Sequence, residues 1–139
     1  MNSYPEERAY YLFVAKTQII QPELKRTLIV MADHIGKENP IRIEEIAALI
    51  YDDPKCERQS RDDLLTLRDE YEIPIGSNSG KAGRWIVIDP EDLHHTANEI
   101  DSRGYKLINL GKKMRSMNLH PRLTPQAMAE VQTNQGRFW

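Results

Sequence analysis

Lys55, Arg58, Gln59 and Arg61 lie close together in the chain, and they are the residues with the clearest chemical potential. Arginine and glutamine can form paired hydrogen bonds with the edges of guanine and adenine, and the cations can hold phosphate oxygens. A second group, Asn78, Ser79, Lys81 and Arg84, offers short polar side chains, exposed amides and positive heads that suit a phosphate backbone. A third stretch runs from Gly104 to Arg122 and carries Lys106, Lys112, Lys113, Arg115 and Arg122 with no acid, which makes it a second candidate phosphate surface. These groups recognise a polyanion; none of them makes or breaks a bond.

Other chemistries fail on spacing. Gly80-Lys81 would belong to a nucleotide-binding loop only with Gly at the position of Ile75 and Ser or Thr at that of Ala82. His94 and His95 are adjacent, so on a helix they point about 100° apart and cannot share one metal ion. Cys56 stands beside Lys55 and Arg58, but it is the only cysteine, has no resolving partner and is read as passive. The acid pairs Glu44-Glu45, Asp52-Asp53 and Asp62-Asp63 fit helix starts and exposed faces better than a Mg²⁺ site. No catalytic residue, metal or cofactor is expected, and the chain is not expected to be an enzyme.

At 139 residues with 40% apolar content, the sequence supports one main core. Its net charge of −2 does not itself point to nucleic acid, so local charge distribution must carry that argument. No stretch reaches the roughly 18 apolar residues a membrane-spanning helix needs. The start Met1-Asn2-Ser3-Tyr4-Pro5 lacks a basic, then apolar, secretory pattern, and a cytoplasmic location is the expectation.

The elements that must position these residues follow from periodicity and punctuation. Pro5 opens an amphipathic helix from Glu6 to Ile20. A second helix is expected from Pro22 to Ile35, with Leu24, Leu28, Met31 and Ile35 inward and Gly36 as its cap. Ile41-Arg42-Ile43 reads as a short strand feeding a helix through Ile50. Asp53-Pro54 then starts a helix to about Tyr71, with Ser60, Leu64, Leu67 and Tyr71 inward. Ile73-Pro74-Ile75 and the run from Gly83 to Ile88 read as two strands of a hairpin. Asp89-Pro90-Glu91-Asp92 starts a long helix reaching about Met117, where Gly104 and Gly111 make one kink plausible. A short helix around Pro125 to Val131 and a tail ending in Phe138-Trp139 complete the chain. Trp85 is best read as an aromatic anchoring the hairpin to the core, with base stacking as the alternative.

From Pro22 the order is helix, strand, helix, helix, strand, turn, strand, which is the winged helix-turn-helix order. In that architecture the third helix enters the major groove and the hairpin touches the flanking backbone. Arg58-Gln59-Ser60-Arg61-Asp62-Asp63-Leu64-Leu65-Thr66-Leu67-Arg68, Ile73-Pro74-Ile75-Gly76-Ser77 and Gly83-Arg84-Trp85-Ile86 resemble a winged helix-turn-helix DNA-binding family common in phages and mobile elements of Gram-positive bacteria. The resemblance covers about half the chain and extends into the helix that begins at Asp89. The sequence departs from the usual pattern at Ser60, where a β-branched apolar residue is commoner, and in Asp62 and Asp63, which would repel phosphate if they faced it.

The expected fold is thus mainly α with a small β-hairpin, a winged helix-turn-helix with N- and C-terminal helical extensions. Residues 1–21 would form the N-terminal extension, 22–89 the DNA-binding domain, 90–117 a helical extension able to dimerise, and 118–139 a tail. Sequence-specific binding to double-stranded DNA is the implied function, in a transcription regulator of a phage or mobile element acting as a homodimer. A replication-origin or initiation accessory protein is an alternative. A second is a protein-interaction module that captures a host or replication factor through its acidic faces or C-terminal tail.

Overall fold

The computed structural model describes residues 4–77 and 83–117. Helix α1 (Pro5–Gln18) and helix α2 (Pro22–Met31) each open on a proline, whose fixed φ suits the first turn and whose missing N–H costs nothing there. Strand β1 (Ile41–Arg42) runs directly into helix α3 (Ile43–Tyr51), and helix α4 (Glu57–Glu70) follows. Strands β2 (Ile75–Ser77) and β3 (Gly83–Ile86) precede helix α5 (Pro90–Ser116). The chain is therefore mainly helical, with one three-stranded antiparallel sheet ordered β1-β3-β2. Ile41 faces Arg84 across the first pair, and Ile75 faces Ile86 across the second.

One apolar core joins helices α1 to α4 to the sheet. Val14 and Ala15 of α1, Leu28 and Met31 of α2, Ile46 and Ile50 of α3, Leu64 and Leu67 of α4, and Ile75 and Ile86 of the sheet are all buried in it. Two polar contacts fix α3 within this packing. Arg26 Nη2 on α2 donates to the carbonyl oxygen of Ile50 at 3.0 Å, satisfying an acceptor that the end of α3 leaves open. The hydroxyl of Tyr51 donates to the Asp63 carboxylate on α4.

Several expected boundaries move, each because a backbone group finds a different partner. Helix α2 stops at Met31, not Ile35, because residues 34–36 lie along β3. There the Ile86 N–H donates to the His34 carbonyl and the Gly36 N–H donates to the Ile86 carbonyl, both at 2.8 Å. Gly36, at φ +91°, makes the turn after that bridge and does not cap the helix. Helix α4 begins at Glu57, because Asp53 Oδ1 instead accepts from the Lys55 N–H at 2.9 Å and builds a turn before the helix. Strand β2 begins at Ile75, since the Ile73 N–H is used by the Leu67 carbonyl at the end of α4 and Pro74 has no N–H to offer. Strand β3 ends at Ile86, before Ile88.

The start of α5 matches its sequence signal. Asp89 Oδ1 accepts the Glu91 N–H at 3.1 Å, and Pro90 occupies the first turn. Helix α5 includes both Gly104 and Gly111, despite their low helix propensity. Two compact units meet in sequence between Ile100 and Asp101. No described helix is long and apolar enough to cross a membrane. The short helix expected around residues 125–131 and the Phe138-Trp139 tail lie outside the described residues.

Candidate nucleic-acid interface

Helix α4 divides into two faces. Ser60, Leu64 and Leu67 are buried against the core, while Arg58, Asp62, Leu65 and Asp69 occupy the opposite side and are exposed. Arg58 and Gln59 stand exposed on the first turns and make no hydrogen bond or ion pair among the described residues. Both side chains can therefore reach a ligand without breaking a native contact.

Arg61 is differently placed. Its Nη2 lies 3.0 Å from Glu57 Oε2, an exposed pair one turn apart on the same helix. The nearby Glu44 carboxyl is held below the ordinary carboxylate range, first by its own backbone N–H, with Arg42 and then Arg61 adding attraction. Two acids thus compete with any phosphate for Arg61. Lys55 is exposed in the turn that precedes α4, not on the helix itself.

The two aspartates of α4 take separate roles. Asp63 turns toward α3, where it accepts the Tyr51 hydroxyl; partial burial raises its carboxyl pKa, an effect that the Tyr51 hydrogen bond opposes. The Tyr51 hydroxyl is pushed well above the usual tyrosine range by burial and by Asp63. Asp62 remains exposed beside Arg58 on the outer face. Only one of the two acids seen in sequence can therefore oppose a phosphate there.

Ser60 is fully buried, and its Oγ has no hydrogen-bond partner among the described residues. The hydroxyl stands where packing calls for an apolar group.

Of the hairpin residues, Asn78, Ser79 and Lys81 lie outside the described residues. Arg84 is half-buried on β3, and its Nη1 donates to the Gly83 carbonyl at 3.0 Å. Its neighbour Trp85 is the anchor expected from sequence. The buried indole Nε1 donates to Asp92 Oδ2 on α5 at 2.7 Å. A Cβ at Gly76, opposite Trp85 on β2, would come within 2.8 Å of this indole, so any larger residue there would force the ring to shift. Sequence reasoning gave Asp92 only a part in starting the helix; its burial and its bond to Trp85 join two elements, and no local pattern signals them.

Lys106, Lys112, Lys113 and Arg115 are all exposed on α5. They do not form one patch. Lys106 and Lys113, seven residues apart, share one side, while Lys112 and Arg115 point elsewhere. Among the described residues no group of His, Cys, Asp or Glu side chains could hold a metal ion.

Compared with known proteins, the chain matches no family model, no curated protein and no solved structure.

Proposed function

We propose that this chain is a winged-helix protein that binds double-stranded DNA, with the N-terminal turns of α4 in the major groove. The observation that carries the reading is the pairing of a buried α4 face with exposed, unengaged Arg58 and Gln59 on its first turns. The sheet order β1-β3-β2 and the succession of α3 and α4 are consistent with it. In this arrangement Arg58 addresses guanine, Gln59 addresses adenine, and Asp62 accepts from a cytosine amino group. Lys55, Arg61, Lys81 and Arg84, with Asn78 and Ser79, hold phosphates and set the register. The role proposed is a sequence-specific transcription regulator of a phage or mobile element, or an accessory protein at a replication origin; both use the same contacts.

A second reading has an observation of its own. Asp62, Leu65 and Asp69 share the exposed face of α4, a combination suited to a basic, partly apolar protein partner. Titrating labelled duplexes at several salt concentrations separates the two. DNA binding requires affinity that falls steeply with salt and drops at least tenfold in Arg58→Ala/Gln59→Ala, since one good base contact is worth ~1–3 kcal/mol. Weak binding that ignores these substitutions would refute it and favour the protein partner.

A further inference from the structure

We propose that α1 pairs with the α1 of a second copy of this chain, antiparallel, through its outward face of Glu6, Ala9, Tyr10, Phe13, Lys16 and Thr17. Such a dimer forms without DNA and is independent of the DNA-binding reading. All six residues lie on one helix within one compact unit.

The two sides of α1 differ in what covers them. Val14 and Ala15 are buried in the core. The six residues of the outward face are all exposed and recur at spacings of three and four, which keeps them on one side of the helix. Two of them are aromatics left in solvent, Tyr10 at 59% and Phe13 at 61% exposure. The Tyr10 ring is steadied by an edge contact with Tyr11, their centroids 5.2 Å apart. Thr17 Oγ1 donates to the Phe13 carbonyl at 2.7 Å, so its hydroxyl brings no unspent donor to this face. Ala9, one turn before Phe13, leaves a shallow place beside the ring that a side chain from outside would cover.

Charge decides which occupant fits this face and in which direction. Glu6 lies at its start and Lys16 near its end, and neither makes an ion pair among the described residues, whereas Arg8 is spent on Asp33. When two copies run antiparallel with Phe13 of each over the partner's Ala9, Glu6 of each comes level with the partner's Lys16, because both pairs share one midpoint, the level of Tyr11. Tyr10 then lies beside its own equivalent across the two-fold axis and adds a ring pair at the rim. One register thus satisfies shape and charge together. Parallel copies would set Glu6 on Glu6 and Lys16 on Lys16, with Phe13 on Phe13 and Ala9 facing Ala9 across unfilled space. A partner of uniform charge would match one end of the face and be repelled at the other.

The test uses the full chain without DNA. Sedimentation equilibrium should show a monomer–dimer equilibrium that Glu6→Lys or Lys16→Glu alone weakens roughly tenfold, since each turns two attractive pairs into two repulsive ones, and that the double variant regains. Direction is read separately by placing Tyr10→Cys or Thr17→Cys in a Cys56→Ser background. In the antiparallel pair the two Tyr10 positions lie roughly 3 Å apart along the axis and the two Thr17 positions roughly 18 Å apart, at 1.5 Å per residue. A bismaleimide too short for the larger distance should therefore link Tyr10→Cys to itself and leave Thr17→Cys unlinked. Linking at both positions would mean a parallel pair and overturn the proposal, as would linking at neither. A chain that stays monomeric at the highest concentration reached, single reversals without effect, or a double variant that does not regain the dimer would overturn it as well, and none of these results bears on DNA binding.

Discussion

Helices α4 and α5 start from similar sequence material, and the chain treats them in opposite ways. In α4 every large apolar residue except Leu65 is buried or half-buried, so tertiary packing fixes the helix and its outer face is left polar. In α5 only Asp92 and Thr96 are buried, both near its start, and its large apolar residues stand in solvent. An amphipathic pattern therefore predicts a helix equally well in both cases, but it does not say what covers the apolar side. Where the domain's own core covers it, as in α4, the opposite face is the one left exposed. Where no described residue covers it, as along α5, the apolar side stays exposed.

The largest effect that sharpens this contrast comes from matched truncations. Leu67→Ala, at a site with no exposure, should cost about 2–5 kcal/mol, whereas Leu107→Ala, at a site 68% exposed, should stay within about 0.5 kcal/mol in dilute monomer. Urea unfolding of both variants reads the difference; equal costs would erase the distinction between the helices.

The Trp85–Asp92 hydrogen bond, which ties α5 to the sheet, is next in size. Trp85→Phe keeps most of the packing but leaves the Asp92 carboxylate buried without its donor, a loss of ~1–3 kcal/mol. A melting temperature unchanged by this substitution would show that the tie contributes nothing.

Ser60→Ala should act in the other direction. Removing a buried hydroxyl that has no partner among the described residues relieves a desolvation cost on the order of 1 kcal/mol, so the unfolding midpoint in denaturant should rise. A fall would mean that the hydroxyl is engaged.

The smallest effect is a pH dependence. Burial raises the Asp63 carboxyl above its unfolded value, so its contribution to stability is full below the unfolded pKa and is lost as pH rises through the folded one. Asp63→Asn keeps an acceptor for Tyr51 and removes the charge. It should therefore raise stability near neutrality while leaving it unchanged in acid, below the ordinary aspartate pKa of about 3.9. Thermal melts across that range check the sign, and a variant less stable at neutral pH would reverse it.

Much of this division was legible in the sequence, because it depends on local signals. Pro5, Pro22 and Asp89-Pro90 mark helix starts that need no tertiary information, and Ser60, Leu64 and Leu67 mark the buried face of α4 by spacing alone. What escaped depends on contacts distant in sequence. Ile35 continues the periodicity of α2, yet it is drawn out of the helix because β3 offers its neighbours backbone partners. Asp62 and Asp63 are indistinguishable as a dipeptide, and only the position of Tyr51 turns one of them inward. The candidate site was legible to the same extent: Arg58 and Gln59 are exposed where expected, while Lys55 falls before the helix and Arg61 is engaged by Glu57, an i,i+4 partner the sequence also contained.

The most direct test of the central claim compares the two helices as DNA-contacting surfaces. Binding to a selected duplex and to a scrambled one is measured for Arg58→Ala/Gln59→Ala on α4 and for Lys106→Ala/Lys113→Ala on α5. The α4 variant should lose the preference for the selected duplex, while the α5 variant should weaken binding to both equally and keep the ratio. A preference that survives the α4 substitutions but is lost with those on α5 would contradict the account.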